Sequence, residues 1–538
     1  MSVPRVVALG VDAADANLVR RWAGEGHLPT FATLLETSLV APIATPVGVL
    51  EGGIWPTLLS SSSPATHGMF AFQSLKAGTY DIENGMRADR LPVPPFWAHM
   101  SRDGRRVAVV DVPFARPIEG LNGLHVTNWG VHDSWSWPRS SWPTGAIDDL
   151  VRRLGQHPVH HCDRENRSPA DYEDLRARLL AGVERKTELL RHVLNLEAWD
   201  FFFGVFSESH CAGHQFWHFM DPTHPRHAVS APATLRWAIR DVYQAIDRGL
   251  GRLLAGLGAD VRVVVVLSHG MGPYYTGAHL LEPILDRLGY AGSPDATAYP
   301  ERDSYAIGGV GSVVWNLRRA LPRGLREALK ARWRKPLDRL WGLTHPVPTL
   351  WKRGMRAFVI PSNNMTSAIR VNLRGREPYG AVTPGAEYEA FCEELTACLL
   401  ELENPDTGRP AVQWVKRARE IYQGPRLGDL PDLFVEWDHA TPVTSLRSPR
   451  VGTVSGSMTA ERTGDHWKQG LLLARGPGLG QGLAGSLRTQ DIAPTFLDLL
   501  VTPSPAGYEG ESVLPILRAK QLDPQVLGAR RSAAVTQP

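Results

Sequence analysis

The chain has 538 residues, 43% of them apolar and 21% charged, a globular composition that excludes a disordered or fibrous protein. A net charge of +3 gives no electrostatic argument for nucleic acid. The four cysteines, Cys162, Cys211, Cys392 and Cys398, lack the CxxC pairing of a zinc knuckle and the density of a disulfide framework. The length fits one large α/β domain with insertions, or two to three domains. No apolar run approaches the ~18 residues of a membrane span. The N-terminus enters a strand directly, without a basic and apolar leader, so a reducing, cytoplasmic setting is expected.

Residues 5–11 read as a short buried strand ending in Asp12, followed by a helix over 17–35 interrupted near Gly26 and Pro29. The Gly- and Ser-rich stretch from Glu51 through Trp55-Pro56-Thr57 to Pro64-x-x-His67-Gly68 reads as loop, short helix and loop. A second strand covers 106–112. Residues 135–167, rich in Trp, Pro, Ser and His, read as an inserted lid. A helix over 171–196 leads to a third strand, 201–206, and a helix over 234–257 leads to the clearest strand, 261–267. A late helix covers 491–500, and the polar tail over 518–538 is expected to fray. Strands alternating with helices argue for a mostly parallel sheet covered on both faces.

One insert, residues 316–357, breaks this alternation. Its stretch 318–356 carries twelve Lys and Arg against only Glu327 and Asp338, interleaved with Trp333, Trp341 and Trp351. A solvated helix pair explains such a charge run. A face for an anionic substrate, or peripheral contact with anionic lipid, is the functional alternative; nucleic acid is the weaker one.

Imidazoles cluster just past strand ends, where parallel sheets place ligands. Ser207-Glu208-Ser209-His210-Cys211-Ala212-Gly213-His214 follows the strand over 201–206. In a helical turn His210 and His214 share one face, a common spacing for paired metal ligands. Glu208 is a candidate to orient an imidazole or to bind metal itself. His269 follows the four-valine strand and precedes Gly270 and Gly272, which permit close approach of a ligand. Asp12 has a competing reading as a helix N-cap. His466, in Gly464-Asp465-His466, is a weak signal alone.

Taken in order, these landmarks resemble the alkaline phosphatase superfamily, and within it the type I phosphodiesterase/nucleotide pyrophosphatase family. The ordered set is Asp12; Trp55-Pro56-Thr57 with Pro64-x-x-His67-Gly68; His214-Gln215-Phe216-Trp217 with Asp221-Pro222; Ser268-His269-Gly270; Arg370-Val371-Asn372-Leu373-Arg374-Gly375-Arg376-Glu377-Pro378-Tyr379-Gly380; Pro431-Asp432-Leu433; Gly464-x-His466; and Asp491-Ile492-Ala493-Pro494-Thr495. The resemblance implies an alkaline-phosphatase-like domain over 1–515 with a two-metal site, usually zinc. One metal is expected on Asp-x-x-x-His plus a late histidine, the other on the first-strand Asp, an Asp-His pair and a Thr or Ser nucleophile. The nucleophile attacks phosphorus to give a covalent intermediate.

Asp12, His214, His269 and His466 match that pattern, and three positions depart from it. His210 replaces the Asp of Asp-x-x-x-His, Ser268 replaces the Asp of Asp-His-Gly, and Glu51 falls at the nucleophile position by an ungapped count. The implied sites are then His210, His214 and His466, a three-imidazole set known from catalytic zinc, and Asp12, Glu51 and His269. Zinc is the expected metal, as one or two ions, with manganese or iron also compatible. Glu51, Thr57 and Ser268 are the candidate catalytic groups. Glu51 is read first as a metal ligand, then as a general base, and least as a nucleophile; a shift of one turn would put Thr57 or Ser60 in its place. The expected function is metal-dependent hydrolysis of a phosphodiester or related phosphate ester on an anionic small molecule. The alternatives are a diverged lyase, transferase or other hydrolase of the same fold, or a non-catalytic anion-binding scaffold.

Overall fold

The computed structural model describes residues 5–49, 51–84, 91–130, 138–163, 167–290, 354–362, 365–456 and 462–518. The basic insert over 316–357 therefore lies outside the described residues except for 354–357, as does the tail beyond 518. In chain order the strands are β1 (Val6–Val11), β2 (Leu39–Ala44), β3 (Val107–Val110), β4 (Gly123–Thr127), β5 (Ser140–Trp142), β6 (Phe201–Phe206), β7 (Arg262–Leu267) and β8 (Gly270–Pro273). They continue with β9 (Ala357–Ile360), β10 (Thr366–Val371), β11 (Val412–Arg417), β12 (Leu433–Trp437), β13 (Gly464–Trp467) and β14 (Gln469–Arg475). The main helices are α1 (Ala16–Gly24), α2 (Pro29–Thr37), α3 (Glu51–Ser60), α4 (Phe96–Arg102), α5 (Ala146–Leu154), α6 (Pro169–Leu194), α7 (Glu208–Met220), α8 (Ala238–Ala255), α9 (Ala386–Leu400) and α10 (Ile492–Leu499).

The central sheet runs β2-β14-β7-β1-β6-β3-β4-β5, with residues 482–483 and 487–488 pairing on β2. From β7 to β4 every neighbour is parallel. The exceptions are β14, antiparallel to both β2 and β7, and β5, antiparallel to β4. The parallel strands are buried along their whole length, as strands with helices on both faces must be. Alternation within β1 divides the core. Val7, Leu9 and Val11 face a cluster containing Trp22, Leu179, Val183 and Leu250 of α1, α6 and α8. Val6 and Ala8 face Trp55, Phe96, Trp97 and Phe496 of α3, α4 and α10. The sheet is thus a mixed, largely parallel layer between two helix layers. A smaller antiparallel sheet, β9-β10-β12-β11, builds a third core with α9.

The segment expected as a lid, 135–167, supplies the edge strand β5 and helix α5. Its end returns towards the centre of the sheet, where Asp163 pairs with Arg462 at 2.7 Å and accepts from Gln215 of α7 at 3.0 Å. Among the described residues no helix is long and apolar enough to cross a membrane.

Candidate metal centre

Three strands finish in register: Val11 lies opposite Phe206 on one side and Leu267 on the other. Asp12, Ser207 and Ser268 therefore emerge side by side at the carboxyl edge of the sheet. The N-cap expected as the competing role for Asp12 belongs to Asp15, whose Oδ1 accepts from the backbone N–H of Asn17 and Leu18. Asp12 is thereby left free to serve the sheet edge.

Helix α7 starts directly after β6, and its first turns place His210 and His214 on one face. The third imidazole arrives from 256 residues away, on β13, which pairs antiparallel with β8 so that Met271 lies opposite His466. Nε2 of His210 lies 3.0 Å from Nε2 of His214 and 2.9 Å from Nε2 of His466. All three rings are buried.

The outer ring nitrogens fix how these imidazoles are protonated. His210 Nδ1 lies 2.7 Å from Asp12 Oδ2, and His214 Nδ1 lies 2.7 Å from the Gly464 carbonyl oxygen. A carboxylate and a carbonyl only accept, so both Nδ1 atoms carry the proton. The Nε2 lone pairs of His210 and His214 then point at each other. His466 Nδ1 lies 3.0 Å from Asp465 Oδ1. Converging lone pairs repel unless a cation or a proton sits among them. The three nitrogens could hold one metal ion, at a spacing close to the ~3.3 Å that two imidazole nitrogens take around tetrahedral zinc. The donor set fits a divalent transition metal, and His210 and His214 each have the outer-side acceptor such ligands use.

Asp12 is the hub of the surrounding hydrogen bonds. Its Oδ1 accepts from the Trp55 indole N–H of α3 at 2.8 Å and from the Ser268 hydroxyl at 3.1 Å. Burial alone would raise its pKa, but His210, His269 and the indole outweigh burial and hold the carboxyl well below the usual range. Ser268 Oγ in turn lies 2.9 Å from His269 Nδ1. Because the hydroxyl proton goes to Asp12, His269 Nδ1 is the donor in that contact. His269 is fully buried, its Nε2 has no hydrogen-bond partner among the described residues, and burial, with His466 second, pushes its pKa far down. Asp465 is also fully encased, and burial lifts its carboxyl to about 6.

Two expected site residues are placed elsewhere. Glu208 turns away from the imidazoles: its carboxylate lies 3.0 Å from His157 Nε2 and accepts from Ser207 N–H at 3.1 Å. Its burial favours the neutral acid, yet the bond to His157 and the charge of Lys186 hold its pKa below the ordinary value. The reason is helical geometry, since residues two apart do not share a face. Thr57 Oγ1 lies 3.0 Å from His67 Nε2, while His67 Nδ1 accepts from the Met69 backbone N–H at 3.1 Å. Burial lowers the His67 pKa to about 3, so the neutral ring keeps its proton on Nε2 and donates to Thr57. His67 is therefore no base for that hydroxyl. Ser60 is spent on the Pro56 carbonyl and Ser62. Helix α3 begins at Glu51, but the Glu51 side chain lies outside the described residues. Sequence reasoning missed Trp55 as a partner of Asp12, and also the Gly464 carbonyl and Asp465. Only the acidic residue beside His466 left a visible signal.

Comparison with known proteins adds three findings. A family model described as type I phosphodiesterase / nucleotide pyrophosphatase matches residues 6–466. No curated protein matches the chain in sequence. Among solved structures, phosphonoacetate hydrolase from Sinorhizobium meliloti 1021 in complex with phosphonoformate is 16% identical, with a TM-score of 0.49 over 93% of this chain and 96% of that one. Murine ectonucleotide pyrophosphatase / phosphodiesterase 5 is 12% identical, with a TM-score of 0.46 over 95% of this chain and 100% of that one. With a family match spanning most of its length, the chain belongs to the type I phosphodiesterase/nucleotide pyrophosphatase family and is a phosphodiesterase-like hydrolase.

Proposed function

We propose that this hydrolase is metal-dependent, cleaves phosphodiesters or related phosphate esters of small anionic molecules, and holds its metal on Nε2 of His210, His214 and His466. One observation carries the reading: imidazole nitrogens converge at 2.9 and 3.0 Å while the outer nitrogens of His210 and His214 are committed as donors. A divalent ion held there supplies Lewis-acid activation of the ester and of water. Zinc suits three neutral imidazoles, and manganese and iron are compatible.

The chain's own residues do the rest. Asp12 and the Gly464 carbonyl hold the Nδ1 protons of His210 and His214 and so aim the lone pairs inward. Their burial keeps bulk water from screening the site. Thr57, already accepting from His67, is not prepared as a nucleophile, which favours direct attack by water over a covalent route through that residue.

The test is metal analysis of the purified protein together with assays on aryl phosphate mono- and diesters. Chelation is expected to abolish hydrolysis and zinc, manganese or iron to restore it. His214→Ala is expected to lose more than ~100-fold, since even outer-sphere partners are worth 10–100-fold. No bound metal, and no turnover with any of the three ions, would sink the proposal. Metal binding without ester turnover would instead point to diverged chemistry at the same ion, the reading that the imidazole at 210 and the hydroxyl at 268 leave open.

A further inference from the structure

The same hydrogen bonds that aim the three imidazoles bear on how many ions the site takes. We infer that this chain binds one catalytic metal ion, not two, and that Asp12 is a positioning residue for His210 rather than a ligand; the inference rests on the metal-dependent reading above. Asp465 sits beside the first site, accepting from the His466 backbone N–H, so a second ion would have to draw on Asp12 and His269. Asp12 has both oxygens committed, Oδ2 to His210 Nδ1–H and Oδ1 to the Trp55 indole N–H and the Ser268 hydroxyl. Three of its roughly four lone-pair directions are thereby used.

His269 presents the wrong nitrogen to Asp12. The 4.0 Å approach between Asp12 Oδ1 and His269 is to Nδ1, and Nδ1 carries the proton given to Ser268 Oγ. The metal-competent nitrogen is Nε2, on the far side of the ring. An ion on His269 Nε2 would therefore sit away from Asp12, and an ion on Asp12 would meet an N–H. Ser268 is what makes the difference. A hydroxyl both donates and accepts, so it bridges Asp12 to His269 as a neutral link, where a carboxylate would have repelled Asp12 and called for a cation. Among the described residues, the one group of three His, Cys, Asp or Glu side chains gathered closely enough for an ion is His210, His214 and His466.

Equilibrium titration of the chelator-stripped, full-length protein with Zn²⁺, counted against protein by elemental analysis, decides the matter. The expected stoichiometry is one ion per chain. His269→Ala and Ser268→Ala are both expected to keep the count at one ion. Ser268→Ala is expected to keep its affinity within about 3-fold of the parent, whereas His269 packs edge-on to His466 with ring centroids 4.9 Å apart, so for His269→Ala only the count is read. Asp12→Asn is expected to keep the count of one while weakening Zn²⁺ binding by 10–100-fold, the usual effect of removing a carboxylate behind a ligating imidazole. Two ions per chain, falling to one in His269→Ala, would overturn the inference while leaving metal-dependent hydrolysis standing. Parent protein that binds no Zn²⁺ would overturn both. The parent stoichiometry needs no substitution, so a variant that fails to fold does not remove the test. Unchanged Zn²⁺ affinity in a folded Asp12→Asn protein would overturn the positioning role.

Discussion

Histidine is used in two opposite ways within a few ångströms of the same sheet. At the carboxyl edge the outer nitrogens of His210 and His214 each have an acceptor placed against them. His125 of β4, by contrast, is fully buried, neither ring nitrogen has a partner among the described residues, and its ring packs edge-on to Trp97 at 5.5 Å. Burial pushes its pKa from 6.5 down to about 3. The unfolded chain thus binds one more proton than the folded one between those values, and stability falls as pH drops through that window. At pH 5 the gap from 6.5 costs about 2 kcal/mol, at 1.36 kcal/mol per unit. Replacing His125 with Leu removes this proton and keeps an apolar side chain of similar size. Urea unfolding of the two proteins at pH 7 and pH 5 is therefore expected to favour the variant by about 2 kcal/mol more at the lower pH. An equal difference at both pH values would contradict the buried neutral state.

The site exists because two elements cross with almost no space between them. A Cβ on Gly464 of β13 would collide with the Gly213 carbonyl oxygen of α7 and lie 3.0 Å from the Gly272 oxygen of β8. Gly464→Ala is expected to cost about 1–3 kcal/mol, as overpacking does. It is also expected to weaken zinc binding, because the Gly464 carbonyl that holds His214 Nδ1 must move; calorimetric titration alongside thermal unfolding separates the two effects. This crossing also shows what could be read from the sequence. Residues 201–206 are a strand in the structure as expected, the strand expected over 261–267 runs from Arg262 to Leu267, and the interruption at Gly26 and Pro29 separates α1 from α2, because apolar runs and breakers act locally. The shared face of His210 and His214 was legible for the same reason. Glu208 was misplaced by proximity in sequence, two residues being the wrong helical phase. Trp55 and Gly464 were not legible in their roles, since an indole N–H and a backbone carbonyl have no pattern until tertiary contact brings them to Asp12 and His214.

At the scale of the molecule, an ion on His210, His214 and His466 would join α7 of the main helix layer to the β8–β13 pair. A ligand that binds only the folded state adds about 2.7 kcal/mol at 100 times its dissociation constant. Chelation is therefore expected to lower the thermal unfolding midpoint of the parent and to leave that of His214→Ala unmoved; equal sensitivity in both proteins would place the stabilising ion elsewhere. The order of strands has a further consequence, in the making of the chain. β14 is the strand that covers the outer edge of β7, and it emerges from the ribosome long after β7 does. The 256 residues between His210 and His466 take about 13 to 50 s to synthesise at ~5–20 residues per second. For a comparable interval Val263, Val264, Val265 and Val266 lie on a strand with one side unpaired, the kind of edge that recruits other chains. The nascent protein is most exposed to aggregation in that interval, and a chain that stalls within it keeps both an open valine edge and a metal site that lacks its third imidazole.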